Sequence, residues 1–187
     1  KADISELRTT ANSPSFKVDL NSVCVDRSSI IHTEGRGLEA LRYLIQINMV
    51  MRSYLALGVT QKMTSLIAAY TSERKQFDRV IASFQAVSHR AADCFIDLEC
   101  LRLVNQQAAI NLNSNLDCEN DALVAKIWAS NAAHKISYAA QHLHGGIGAD
   151  KDYLLWRYCL LAKECELING SSSQNIERLG VNITSNQ

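Results

Sequence analysis

The sequence is short of proline, of net charge and of long apolar runs. One proline, Pro14, stands among 187 residues, where average usage is about 5%. Long helices are the natural consequence, because little else in the chain would break them. Lysine and arginine number 19, and aspartate and glutamate also number 19. A balanced chain offers nucleic acid no net field, and no block of like charges stands out. Nothing approaches the roughly 18 consecutive apolar residues of a membrane span. Neither nucleic acid nor membrane is therefore expected as a partner. The opening "KADISELRTT" reads as neither a signal peptide nor a transit peptide. Six cysteines, at 24, 94, 100, 118, 159 and 165, include no C-x-x-C and no histidine at zinc-like spacing. They are read as free, buried thiols of a reducing, cytoplasmic compartment. Asn169-Gly-Ser and Asn182-Ile-Thr match the glycosylation sequon and are read as chance.

The remaining composition, 47% hydrophobic and 20% charged, is that of an ordinary globular domain with a real core. "SFKVDLNSVCVDRSSII" alternates, with Phe16, Val18 and Leu20 on one side, and predicts short strands at 15–20 and 22–26. So little β-structure cannot form a stable sheet alone and needs a pairing partner. After "EGRG" the pattern turns helical. A first helix is expected over about 38–71, carrying Leu41, Leu44, Leu55, Met63 and Ile67. "TSERKQFDRVIA" connects it to a second, about 84–112, with Ser83 as N-cap and Phe84, Val87, Ala91, Cys94, Phe95, Leu98 and Leu101 on its apolar face. A third follows over about 120–143 and ends at "HGGIG", where Gly145 suits a left-handed cap. A fourth, about 152–168, and a short last one, about 172–180, precede a frayed tail. Antiparallel helices with short connections imply a helical bundle.

Four stretches carry candidate chemistry. In "SERKQF" (residues 72–77), Arg74 can grip a phosphate by its bidentate fork, or simply end a charged helix. "HLHGGIG" (residues 142–148) follows a helix, not the strand of a dinucleotide fingerprint. Its paired glycines still let a backbone approach a ligand; the bland alternative is a helix cap. His142 and His144 find no third metal ligand, so no metal is expected. Asp93, Asp97 and Glu99 read as a solvated face rather than an acid–base pair. "INGSSS" (residues 168–173) is either a connector or a site from which something has been removed.

Taken in order, these motifs resemble the C-terminal half of an acyl-CoA dehydrogenase. Such enzymes carry a late β-segment, a "GeGrG" opening a long helix, and an "ER-x-x-F" stretch with a glutamine downstream. A "hGG-x-G" loop and a helix ending in "yEGT" follow. The counterparts here are "TEGRG" (residues 33–37), "ERKQF" (residues 73–77), Gln85, "HGGIG" (residues 144–148), "KDY" (residues 151–153) and "INGS" (residues 168–171). The resemblance covers about residues 5–180. It implies a mainly α fold: a four-helix C-terminal bundle over residues 36–187 that binds FAD and makes the oligomer interface. Residues 1–35 would be the end of an incomplete middle β-domain, and the family's N-terminal helical domain would be missing.

By the same resemblance, Arg74, Phe77 and Gln85 match positions that contact the FAD of a neighbouring subunit. Gly145 and Gly146 match a second such contact. His142 stands where the family usually has Gln, with Gln141 one step earlier. An offset of one residue turns a helical side chain by about 100°, so the backbone contact is the firmer expectation. Gly170 and Ser171 would keep a turn and a hydroxyl near the flavin. The family removes the proton α to a thioester while a hydride leaves the β-carbon, and the proton needs a base. That base is usually the Glu of "yEGT", here Asn169, or a Glu on the first long helix, here Asn48. An amide is no general base near neutrality. No catalytic residue is thus expected in this chain. Leu160 and Leu154 also replace the usual Arg and Pro. The pattern is similar to the base-lacking subunit of heteromeric bacterial steroid-CoA dehydrogenases. It implies an acyl-CoA substrate and a homologous partner subunit in a hetero-oligomer, expected as a heterotetramer. Two alternatives stay open: an active dehydrogenase with a displaced base such as Glu39, or a flavin-free scaffold.

Overall fold

A computed structural model of the chain describes residues 2–31, 35–114 and 118–185. Thr33 and Glu34 of the expected "TEGRG" lie outside these residues. The chain divides into two compact units, Lys1–Ile45 and Gln46–Gln187.

In the first unit, β1 (Asp3–Leu7) and β2 (Ser15–Asp19) form an antiparallel pair, with Ile4 opposite Val18 and Glu6 opposite Phe16. β2 fulfils the expected strand at 15–20. Its partner β1 was not legible, because Ile4 and Leu7 break the two-residue period of a half-buried strand. The second expected strand, 22–26, does not form. Ser22 turns the chain at φ 55°, and a single short turn of 3-10 helix, Arg27–Ser29, follows. β-propensity without a neighbouring strand edge is not enough. Ile4, Phe16 and Val18 remain exposed on one face of the pair. The long helix α1 (Gly37–Glu73) opens in this unit, where Arg36 grips the Glu39 carboxylate.

The second unit is the bundle. α1 runs on unbroken, and β3 (Lys75–Gln76) and β4 (Arg79–Val80) make a miniature hairpin after it. Then come α2 (Gln85–Asn113), α3 (Glu119–His144), α4 (Leu155–Leu167) and α5 (Ser172–Ser185). With 37 residues, α1 is about 55 Å long at 1.5 Å per residue. α3 is the central helix. Ala122, Ala125, Ala129, Ala132, Ala133, Ala139 and Ala140 are all buried along it, and such small side chains let neighbouring helices come close. Around them pack Met63 and Ile67 of α1, Leu98 and Leu101 of α2, and Leu155 and Ala162 of α4. Burying this set supplies the main driving force for the bundle. Hydroxyls on the inner face of α1 cost little, because each finds its own helix. Ser53 donates to the Met49 carbonyl, Thr60 to that of Ala56 and Thr71 to that of Ile67, each at 2.8 Å.

Helix ends depart from expectation by a few residues, each for a local reason. Ser83 is not the N-cap of α2. Its hydroxyl donates to the Val80 carbonyl at 2.7 Å and closes a 3-10 turn, so Phe84 precedes the helix. α4 starts at Leu155, because the Asp150 carboxylate accepts the Asp152 N–H at 2.9 Å and holds a turn there. α5 does not fray at 180 but reaches Ser185. All six cysteines are free thiols. Burial pushes those of Cys94, Cys159 and Cys165 up to about 11, away from reactivity. No described helix is long and apolar enough to cross a membrane.

Candidate functional site

The first candidate segment is the β3–β4 hairpin. Gln76 pairs with Arg79 across a two-residue turn in which Phe77 (φ 53°) and Asp78 (φ 64°) are both left-handed. Two positive φ values in a two-residue loop are the signature of a type I′ turn, whose twist matches the strands. Asp tolerates this conformation; a bulky aromatic does so only at a cost of about 1–2 kcal/mol. Phe77 nevertheless stands at the tip, 87% exposed. Neither burial nor backbone preference accounts for its place there. Behind it, the Arg79 guanidinium lies 4.0 Å over the Phe84 ring, and Phe77 meets Phe84 edge-on at 6.2 Å. Arg74 is exposed at the hairpin's base. Its N–H bonds the Tyr70 carbonyl at 2.9 Å, and its carbonyl accepts from Ile81 at 2.8 Å. Gln85, also exposed, opens α2.

The second segment is the glycine loop, a 3-10 stretch over Gly145–Ala149. Gly145 caps α3 with φ 64° and ψ −142°, beyond the left-handed helical well and open only to glycine. A Cβ at Gly145 or Gly146 would meet nothing within 4 Å, so the backbone there faces open space. At Gly148 a Cβ would lie 3.2 Å from the Gln141 carbonyl oxygen and from the His144 Cβ, so this glycine lets the loop fold back on α3. His142 is exposed; His144 is buried. The His144 ring stacks on Tyr70 at 4.5 Å, and Tyr70 lies one turn before Arg74. The hairpin and the glycine loop are thereby brought together.

The third segment is the loop after α4. Asn169 (φ 62°) and Gly170 (φ 93°) reverse the chain. The buried Asn175 amide donates to the carbonyls of Asn169, Gly170 and Ser171 at 3.3, 3.0 and 3.0 Å. A Cβ on Gly170 would sit 3.3 Å from that nitrogen. Ser171 and Gln174 form a capping box on α5: the Ser171 N–H donates to Gln174 Oε1 at 2.8 Å, and the Gln174 N–H points back to Ser171 Oγ at 3.5 Å. The Ser171 hydroxyl therefore serves the helix cap. Asn169 Oδ1 is buried and has no hydrogen-bond partner among the described residues.

Ahead of this loop, Lys126 of α3 is fully buried. Its ammonium donates to Ser130 Oγ at 2.5 Å and to the Cys165 and Glu166 carbonyls at 3.1 Å each. Three hydrogens meet three acceptors, and the charge sits at the C-terminal, negative end of α4. Burial pulls this ammonium down to about 8, against the opposing pull of Cys165 and Glu166. Asn48 is exposed on α1. One turn on, Arg52 pairs with Glu164 of α4 at 3.4 Å, and Glu164 lies five residues before Asn169. Asn48 and Asn169 both carry amides.

Sequence reasoning missed Lys126, Asn175, Tyr70 and the role of His144. Lys126 left a signal: it falls on the same stripe as Ala122, Ala129 and Ala133, where an apolar residue is expected. Ser171-x-x-Gln174 was also readable as a capping box.

Set beside known proteins, the profile of the family described as "Acyl-CoA dehydrogenase, C-terminal domain" matches residues 35–183. The chain belongs to the acyl-CoA dehydrogenase family. It is 32% identical to the acyl-CoA dehydrogenase FadE27 of Mycobacterium tuberculosis, over 95% of this chain and 48% of FadE27. A crystal structure of the ChsE4-ChsE5 complex from Mycobacterium tuberculosis superposes with a TM-score of 0.89 at 32% identity, covering 98% of this chain and 49% of the other. A variant of the steroid ACAD Tcur3481-Tcur3483 gives a TM-score of 0.87 at 30% identity, covering 99% and 49%. The chain thus spans about half the length of these relatives.

Proposed function

We propose that the chain is part of a subunit of an FAD-dependent acyl-CoA dehydrogenase, and the partner that lacks the catalytic base. The carrying observation is a split within the site. The features suited to a dinucleotide are kept: an exposed arginine, a protruding aromatic and an open glycine-pair backbone. The carboxylates are gone from both base positions, yet the loop around Asn169 is fully built, held by Asn175 and Lys126. On this reading the Arg74 fork binds a diphosphate, Phe77 and Gln85 flank the adenosine, and the Gly145-Gly146 amides, with His142 beside them, face the same group. Gly170 and Ser171 shape the wall near the flavin.

Bound FAD supplies the acceptor for the hydride that leaves the substrate's β-carbon. This chain's residues would hold the cofactor, and a homologous partner subunit would bring the carboxylate that takes the α-proton. Asn169 and Asn48 can only donate or accept hydrogen bonds. Glu39 is a poor substitute base, because Arg36 already engages its carboxylate. Residues 1–35, with their exposed apolar strand face, suit the end of a larger middle β-domain. The steroid ACAD likeness supports a bulky CoA thioester as substrate, and the free cysteines support a cytoplasmic enzyme.

Co-purifying the full-length protein with its partner and counting flavins tests this. The expected result is one FAD per pair of unlike chains, with turnover lost when the partner's base is removed and kept in Glu39→Gln. One FAD per chain with turnover by this subunit alone would sink the proposal, and absence of flavin absorbance would favour a scaffold.

A further inference from the structure

Beyond the residues that face a ligand, one buried cluster joins the two segments proposed to do so. His144 ends α3 immediately before the glycine pair. Its Nδ1 lies 2.7 Å from the Ala140 carbonyl oxygen, so Nδ1 carries the proton and donates. Its Nε2 is then an acceptor, and the Tyr153 hydroxyl donates to it at 3.1 Å. The ring stacks on Tyr70 at 4.5 Å and 22°, and sits tilted against Tyr153 at 5.4 Å. Tyr70 belongs to the last turn of α1, and its carbonyl accepts the Arg74 N–H at 2.9 Å. One imidazole therefore touches α1 just before the hairpin, α3 just before the glycine pair, and the turn leading into α4.

We infer that His144 is a positioning residue: by stacking on Tyr70 and accepting from Tyr153, it fixes the glycine-pair loop relative to the Arg74–Phe77 hairpin. The role in cofactor binding rests on the function proposed above; the latch itself does not. A diphosphate gripped by an arginine on one segment and by backbone amides on the other needs those segments at a set separation. Neither segment sets it alone. The hairpin is held at its base by Ile81 and Arg74, and the loop is open above Gly145 and Gly146.

In this arrangement the imidazole is neutral. The titratable groups facing the ring are Tyr70 from α1 and Tyr153 from the turn before α4; the Ala140 and Leu66 carbonyls complete the surroundings. Burial lowers the His144 pKa from 6.5, with the nearby Ala140 and Leu66 carbonyls opposing. Protonation would reverse this hydrogen bond, with Nε2–H donating to the Tyr153 oxygen.

Hydrogen exchange read by mass spectrometry, on the protein purified with its partner, tests the latch without needing activity. Tyr153→Phe removes only the donor and keeps the ring; His144→Gln removes the stack. Tyr153→Phe should raise exchange about five-fold, the worth of one lost hydrogen bond, in peptides covering residues 74–80 and 145–149. Peptides within 94–108 and 122–133 should not change. His144→Gln should show the same two-segment loosening. If either segment keeps wild-type protection in both variants, the inference is overturned. Flavin titration separates the two proposals. Weaker FAD binding in Tyr153→Phe supports both, whereas no FAD binding in any form defeats the proposed function and leaves exchange to decide the latch.

Discussion

Lys126 gives the sharpest test of how the loop around Asn169 is held. The ammonium is desolvated, and its folded pKa of about 8 lies below the ordinary 10.5. The unfolded chain therefore binds more protons than the folded one between these values, and stability rises with pH across the window. A shift of about 2.5 units at about 1.36 kcal/mol each comes to about 3 kcal/mol; the attraction of the α4 carbonyls for the charge brings the expected gain to about 1–3 kcal/mol. Lys126→Met keeps most of the stem and removes both charge and donors. At pH 7 two effects nearly cancel. The Cys165 carbonyl loses its donor, at about 1–3 kcal/mol, while the cost of burying a charge disappears. The Glu166 carbonyl keeps the Ser130 hydroxyl at 2.9 Å. Urea denaturation of wild type and Lys126→Met at pH 7, 9 and 10.5, under reducing conditions, reads the effect, with the Cys165 thiol, which Lys126 pulls down, as the coupled group that changes with it. Wild type should gain about 1–3 kcal/mol over the variant between pH 8 and 10.5. Parallel stability curves would refute the reasoning, as would a Lys126 ammonium that titrates near 10.5 by NMR.

Asn105 is fully buried on α2, and neither end of its amide has a hydrogen-bond partner among the described residues. Asn105→Leu should stabilise the bundle by about 1–2 kcal/mol in thermal unfolding. Asn175→Ala withdraws the donor from three carbonyls and should cost about 2–4 kcal/mol; exchange at residues 169–173 should rise before the global transition. Asn175→Asp should do worse, because it sets a carboxylate against the same oxygens. Phe77→Gly relieves the left-handed strain and should stabilise by about 1 kcal/mol, yet weaken flavin binding in the assembled complex; a calorimetric melt and a flavin titration read the two effects separately.

Much of the bundle was legible because helical periodicity is local. Met63 and Ile67 of α1, Cys94, Leu98 and Leu101 of α2 and the break at "HGGIG" followed from spacing alone, whereas Leu41, Leu44 and Leu55, read onto the same α1 face, are exposed in this chain. β1 was not legible, since a strand exists only through its partner and Ile4 and Leu7 share no face. Ser83 misled for a related reason. A capping residue is recognised by its neighbours three residues on, and here the hydroxyl found a carbonyl three residues back.

The sequence by itself determined which chemistry is available. The arginine, the aromatic and the glycines are kept, and amides stand at positions 48 and 169. These are facts of residue identity, and no fold can turn an amide into a base. Only the tertiary structure decided how the segments are held. A lysine that reads as a blemish on an apolar stripe becomes the C-terminal cap of a helix 39 residues away. A histidine beside two glycines becomes a bridge between α1 and α3. The physical reason is that a buried polar group must find partners, and those partners are chosen by packing rather than by proximity along the chain.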